Sequence, residues 1–310
     1  MKVLVTNDDG VASPGLHALA RALVDDGHDV IVVAPDREMS GSAAAIGQVH
    51  VESGIDAKRI DLPRLDGVPA YAVAGPPGLC VLTARLGGFG DPPDLIVSGI
   101  NPGCNTGRAV LHSGTVGAAL TAANFGCRGL AVSIDVSTLH LHEQFRGTVT
   151  VGDGDEARAE VVESVEIGDD PGARGRLRDV SGVAFDRPAE WDTAATVAAS
   201  AVGWLAEAPP CTVLNLNVPN VALDRLGGAR SATLAPFGTV RSSVVEAAPD
   251  GGRLQIEFRP TDQELPPESD TAIVAQGFVS VTALSGIGVD DRVDVSGVLE
   301  LVPTEDRRTA

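Results

Sequence analysis

Positive charge is scarce in this chain. Lys2 and Lys58 are the only lysines among 310 residues, and 23 Lys and Arg face 42 Asp and Glu, for a formal net charge of −19. With a pI near 4.5, such a surface repels nucleic-acid backbones and anionic membranes, which excludes a general binder of nucleic-acid polymers. The bias to Arg, beside abundant Ala and Gly, reads as genome composition rather than function. Cysteine is sparse as well. Cys80, Cys104, Cys127 and Cys211 form no CxxC pair and stand in apolar or Gly-rich settings, which argues against a disulfide framework or a zinc site and predicts buried free thiols. No apolar run approaches the ~20 residues that a bilayer requires. The opening MKVLVTNDDG reads as a strand followed by polar chemistry rather than a secretion signal, so the expected location is cytoplasmic, with no membrane partner.

What is present is ordinary for a globular protein: 44% hydrophobic and 21% charged residues. The length allows about two domains or one large one and buries about three quarters of the unfolded surface, so no staple is needed. Lys2–Thr6 is a short apolar run that ends in the polar loop Asn7–Ala12. Ser13-Pro14 then resembles a helix cap followed by proline at the first helical position. Leu16, Leu19, Ala20 and Leu23 recur at helical spacing until Asp25-Asp26-Gly27, and Val30–Ala34 is a second apolar run. Strand, helix and strand in about 35 residues make a βαβ unit with parallel strands. The alternation returns in a strand over Ala70–Ala74, a helix over Leu79–Leu86, a strand over Leu95–Ser98, a helix over Gly114–Asn124 and a strand over Leu130–Ile134. The fold class expected is α/β, a Rossmann-like, doubly wound, mostly parallel sheet.

Residues 137–188 break the pattern, being rich in Asp, Glu, Gly and Arg. Val149, Val151, Val161, Val162, Val165 and Ile167 fit a small hairpin or mixed subdomain, and the segment reads either as a solvated insertion or as a lid or partner surface. His140 and His142 alternate beside Glu143, a pair of imidazoles with no third ligand in view. Trp191–Leu205 is an Ala-rich helix and Thr212–Val218 a strand. Thr239–Glu246 and Arg253–Arg259 flank Pro249-Asp250-Gly251-Gly252, a hairpin signal. A hairpin projecting from an α/β body needs something to pack against, and a partner subunit is the natural candidate. Gly277–Leu284 is a last strand, and residues beyond about 303 read as a loose tail. The expected divisions are 1–136 and 189–235 for the α/β body, 137–188 for the insertion and 236–310 for an oligomerisation hairpin and tail.

In a parallel sheet the loops after the strands open on one edge, where ligands bind. Asn7-Asp8-Asp9-Gly10, Asp36–Gly41 with Ser40, and Gly99–Gly103 with Asn101 all occupy such places. Adjacent carboxylates repel unless a cation lies between them. With a serine hydroxyl and an asparagine carbonyl they form a hard, all-oxygen set suited to Mg²⁺ or Mn²⁺. Each piece has a plainer reading as well: Asp-Asp-Gly as a turn, Ser-Gly-Ser as a flexible loop. Asn101–Gly107 runs on to His112-Ser113-Gly114-Thr115 at the start of an apolar helix, whose free N–H groups and dipole make a phosphate cradle; Ser113 as a helix cap is the alternative. Neither a P-loop nor GxGxxG is present.

VTNDDG, APDREMSGSA, DLIVSGINPGCNTG and HSGTVGAA, in this order, resemble the four signature stretches of the SurE family, divalent-metal-dependent phosphatases of nucleoside 5′- and 3′-monophosphates. The likeness covers roughly 1–134 and 190–285, with LNLNVP at 214–219 and GFVSVTAL at 277–284. The resemblance implies one Mg²⁺ or Mn²⁺ per subunit on Asp8, Asp9, Ser40 and Asn101, with Asp8 and Asp9 also catalytic, and phosphate held by Asn105, Ser113, Gly114 and Thr115. It further implies a C-terminal hairpin and tail exchanged between subunits, in a homodimer or homotetramer. The chain departs from the family at Gly75-Pro76-Pro77-Gly78-Leu79, where Thr, Ala and Asp are usual at the second, fourth and fifth positions. It departs again at Arg108-Ala109 in place of an acidic pair, and at His112 in place of Tyr. Arg108 is therefore a candidate contact to a second polar or anionic group of the substrate.

The reaction expected is hydrolysis of a small phosphate monoester by metal-assisted water attack. A dedicated phosphatase for one biosynthetic intermediate and a metal-binding, non-catalytic homologue are the alternatives. An aspartyl-phosphate enzyme fits poorly, because the carboxylates are adjacent rather than spaced as Asp-x-Asp.

Overall fold

The computed structural model describes residues 1–47, 54–136, 145–150, 160–163, 188–236, 240–246, 254–260 and 264–286. His140, His142, Glu143, Val151, Val165, Ile167, the turn at 249–252 and the tail lie outside them.

The apolar runs at the N-terminus become β1 (Lys2–Thr6) and β2 (Asp29–Pro35), joined by α1 (Pro14–Asp25). Ser13 occupies the cap position in extended conformation, but its side chain makes no capping bond there. β3 (Ala57–Ile60) and β4 (Ala70–Val73) follow, then α2 (Pro77–Arg85), β5 (Leu95–Pro102), α3 (Gly114–Asn124) and β6 (Arg128–Asp135). After β7 (Phe145–Thr150) and β8 (Glu160–Glu163) come α4 (Trp191–Glu207), β9 (Val213–Pro219) and β10 (Ala229–Ser231). The chain then runs through β11 (Val240–Glu246), β12 (Leu254–Pro260), α5 (Asp270–Ala275) and β13 (Val279–Leu284).

Nine strands form the main sheet in the order β10-β13-β9-β6-β5-β1-β2-β4-β3. The run from β9 to β4 is parallel throughout, with antiparallel pairs at β13–β9 and β3–β4. β1 has β2 on one side and β5 on the other, so the winding reverses between β1 and β5. That reversal leaves a crevice at the carboxyl ends of these two strands.

Alternation along β1 shows how both faces are covered. Val3 and Val5 join one core with Leu16, Leu19 and Leu23 of α1 and Ala198, Val202 and Leu205 of α4. Leu4 points to the other, with Leu79, Cys80 and Val81 of α2 and Ala118 and Ala122 of α3. Each fully buried Leu or Val contributes about 1.5–3 kcal/mol.

One expectation is corrected here. All four cysteines are free, but Cys211 is exposed rather than buried. Burial drives the Cys80 thiol up to about 12, so it is an inert core group. The stretch Gly75–Leu79 is packed in place: Leu79 is buried in the second core, and a side chain at Gly78 would begin 2.6 Å from the Ala45 carbonyl oxygen. The hairpin β11–β12 has one neighbour within its own chain. β12 pairs antiparallel with β7, from Leu254↔Val149 to Phe258↔Phe145, and β7 with β8, so hairpin and insertion share one sheet of order β11-β12-β7-β8.

Candidate active site

Three loops meet at the winding reversal, and backbone bonds stitch them together. The turn after β1 is closed by Asn7 Nδ2 donating to the Gly10 carbonyl at 3.0 Å. The Met39 N–H donates to the Asp8 carbonyl at 2.7 Å, which docks the loop after β2 on the first. The Ala43 N–H donates to the His112 carbonyl at 3.3 Å, which ties that same loop to the entrance of α3. Glycine makes the last approach feasible, since a Cβ on Gly117 would lie 2.1 Å from the Ala43 carbonyl oxygen.

Asp8 is the centre of this junction. It is only 4% exposed, and its carboxylate accepts a short hydrogen bond from the Thr115 hydroxyl. Burial pushes its carboxyl above the ordinary range. The Thr115 hydroxyl and the backbone N–H groups of Thr115 and Gly114 oppose that rise. The N-terminus of α3 is thus aimed at a carboxylate, the arrangement its dipole favours. Gly114 leaves the necessary room: a Cβ there would begin 2.8 Å from Asp8 Oδ2 and 2.6 Å from Ser42 Oγ. Ser113 does cap the helix, accepting the Val116 N–H at 3.1 Å, and this frees no donor but fixes the first turn. Asp9 is half-buried beside Asp8.

The remaining candidates stand around this core. Asn101 leaves β5 on the same edge, next to β1 in the register Thr6↔Ser98. Its Nδ2 donates to the Gly103 carbonyl at 2.7 Å, which directs the amide nitrogen inward to the loop and leaves the amide oxygen as an acceptor. Ser40 is exposed and donates to Glu38 Oε1 at 2.9 Å; a hydroxyl that gives its proton to a carboxylate keeps its lone pairs for a cation. Among the described residues no three His, Cys, Asp or Glu side chains gather as a metal cluster. The candidate set has instead two carboxylates and two neutral oxygens, the donors of a hard cation. A buried Asp8 carboxylate to which Gly114 leaves room, with half-buried Asp9 next to it in sequence, fits such an ion.

Asn105 belongs to a second, rigid group. Its N–H donates to Asn217 Oδ1 at 2.8 Å and its Nδ2 to Ser133 Oγ at 2.9 Å. Its carbonyl accepts from Asn215 Nδ2 at 2.8 Å and Asn217 Nδ2 at 3.1 Å. Arg108 and His112 are exposed on the loop that follows. Sequence reasoning missed Ser42, Ser133, Asn215 and Asn217 as members of the site. The signal for the last two was available, because an Asn at every second position of a buried strand demands partners.

The sequence profile of the family described as survival protein SurE matches residues 3–169, more than half of the chain. A 5′-nucleotidase SurE of Xylella fastidiosa is 31% identical over 287 residues, covering 92% of this chain and 89% of that protein. The chain belongs to the SurE family. A Geobacter metallireducens protein of the same description is 32% identical, covering 92% and 91% of the two chains. A Dehalococcoides mccartyi SurE is 46% identical over 137 residues, 44% of this chain and 50% of that protein. The crystal structure of the SurE protein from Aquifex aeolicus superposes with a TM-score of 0.65 at 25% identity, covering 97% of this chain and 99% of that one.

Proposed function

We propose that this chain is a divalent-cation-dependent nucleotidase, a phosphoric monoester hydrolase acting first on nucleoside 5′- and 3′-monophosphates. The observation that carries the reading is the buried Asp8 carboxylate set against the N-terminus of α3, at the winding reversal of a sheet whose curated relatives are described as 5′-nucleotidases. Asp8, Asp9, Ser40 and Asn101 would hold Mg²⁺ or Mn²⁺, which when bound supplies charge stabilisation and a water of lowered pKa. The chain's own groups do the rest. The start of α3 at Gly114 and Thr115 turns the positive end of its dipole to the phosphate while the Thr115 hydroxyl stays on Asp8, and Asn105 holds its place through Asn215, Asn217 and Ser133. Water attacks phosphorus in line, its oxygen forming the new P–O bond as the ester P–O bond breaks. A carboxylate of the Asp8–Asp9 pair takes the water's proton, and the departing alkoxide is protonated to the alcohol. Assembly through the C-terminal hairpin and tail into a homodimer or homotetramer is part of the same reading. Among the described residues no helix is long and apolar enough to cross a membrane.

The test is phosphate release from nucleoside 5′- and 3′-monophosphates and simple sugar phosphates with Mg²⁺, with Mn²⁺ and with chelator, beside Asp8→Asn. Metal-dependent turnover of nucleotides, lost in the variant, supports the reading, and turnover that survives chelation overturns it. Exposed Arg108 and His112 favour a second reading, a phosphatase dedicated to one intermediate; it predicts silence on nucleotides while the metal still binds.

A further inference from the structure

Asp270 opens α5, far from the other site residues in sequence, and is fully buried. Its carboxylate collects N–H groups from three segments: Gly107 to Oδ2 at 2.8 Å, Ala235 to Oδ1 at 3.0 Å and Thr271 to Oδ1 at 2.8 Å. The Thr271 hydroxyl approaches Oδ1 at 3.4 Å, and the Asp270 N–H donates to the Thr233 carbonyl at 2.8 Å. Favouring the start of a helix needs only an exposed carboxylate. Full burial costs several kcal/mol unless fixed donors replace water, and here two of those donors come from loops remote in sequence. One of the two is Gly107, which follows Asn105 by two residues and precedes Arg108. Asn215, Asn217 and Ser133 hold this loop at Asn105, and Asp270 holds it at Gly107, so the segment between is fastened at both ends.

We propose that Asp270 is a positioning residue for substrate: by fixing the Gly107 N–H it sets the loop that carries Asn105 and Arg108, without touching the phosphate ester. The proposal rests on the reading of that loop as substrate-binding. Asp270→Asn preserves size but turns one oxygen into a donor, so at least one of the N–H groups loses its acceptor. KM for a nucleoside 5′-monophosphate is expected to rise about tenfold, the worth of one charge-assisted hydrogen bond. The value of kcat should hold within about twofold and Mn²⁺ affinity should not move, because Asp8, Asp9 and Ser40 lie on other segments and Asn101, upstream of the loop, is held in β5 by its pairing with Ser133. Ser269→Ala is the control: it removes the cap that accepts the Ala272 N–H at 3.4 Å and loosens the same helix, yet should leave KM alone.

Amide hydrogen exchange of the full chain reads the anchor independently of turnover, and in the unmutated protein independently of any variant's folding. Gly107 and Ala235 should exchange slowly and at a common rate, as donors released by one opening. In Asp270→Asn both should exchange faster. Rapid exchange of Gly107 in the unmutated protein overturns the proposal. So does an unchanged KM in Asp270→Asn, or a rise in KM that Ser269→Ala reproduces. Absence of turnover in the unmutated chain would instead sink the nucleotidase reading, and Gly107 exchange would then decide the anchoring alone.

Discussion

Gly117→Ala tests whether the serine-bearing loop is seated on α3 as described. The new methyl would lie 2.1 Å from the Ala43 carbonyl oxygen, 2.3 Å from its carbon and 2.5 Å from the Ala44 nitrogen. All three are backbone atoms, so no rotamer relieves the clash. Ordinary contact begins near 3.4 Å, and the loop must therefore retreat by roughly 1 Å, or the helix must shift as far. Overpacking of this kind costs about 1–3 kcal/mol, a few degrees of Tm in a protein of this size. The loss of activity should be greater. The displaced segment carries Ser40 and Ser42 and is tied to Asp8 through Met39, and a misplacement of about 1 Å near the chemistry lowers turnover about 10²-fold. Phosphate release under Mn²⁺ gives kcat/KM, and thermal unfolding gives Tm. Gly203→Ala is the counterpart in α4, where nothing stands within 4 Å; it should gain about 0.5–1 kcal/mol and keep full activity. A Gly117→Ala protein with Tm unchanged and kcat/KM within about threefold of the unmutated enzyme would refute the reasoning.

Asp8→Asn should cost about 10³-fold or more in kcat/KM, since it strips a charge from the proposed cation site. Burial raises the Asp8 carboxyl above its ordinary value of 3.8, so under chelator its contribution to stability is complete below that pH and declines as pH rises through the folded value. Asp8→Asn should lack that decline in Tm, and parallel pH profiles for the two proteins would contradict the assignment. Arg108→Ala should shift relative rates across monoesters that differ in a second polar or anionic group; equal relative rates on such a panel defeat that role. Deleting residues 137–188 removes β7 and β8 and bares the edge of β12, so the truncated chain should self-associate in light scattering. Unchanged mass and kinetics would make the insertion ornamental.

The sequence displayed the fold wherever local pattern and tertiary role agree. Gly114–Asn124 was legible to the residue, because a capping serine and a small-residue run mark its start. β5 runs past Ser98 to Pro102, because Asn101 and Pro102 pair with Ser133 and Ile134 beyond an irregularity; nothing local distinguishes that from a loop. β3, reading AKRI, and the six-residue α5 are too short and too charged or mixed to show a period. The pairing of β12 with β7 joins segments about a hundred residues apart, which no local pattern encodes. In the candidate site, the residues proposed to meet the ligand were visible as polar loops at strand ends. Those that hold them were not. Asn215, Asn217 and Asp270 act by accepting and donating inside the body, and only the geometry shows which loop each one grips.

Charge explains why the site is arranged around a carboxylate pair rather than around lysines. Lys2 lies at the start of β1, the end of the strand opposite Asp8, and its N–H is bonded to Asp94. Lys58 is on the edge strand β3. Arg37, close to the site in sequence, is drawn to Asp36 at 3.3 Å. The fixed positive potential at the junction is therefore chiefly the end of α3, worth roughly half a charge, and Asp8 and Asp9 outweigh it. In the proposed reaction that pair would hold a divalent cation whose charge offsets its own, so that the helix terminus would meet a phosphate dianion without opposition, with Arg108 left for a second polar or anionic group of the substrate. A polyanionic backbone gains nothing comparable, because one neutralised pocket cannot offset the remaining surface of a chain at −19. On the proposed reading, the same acidity that disfavours polymers would favour a small ester within the reach of a single cation.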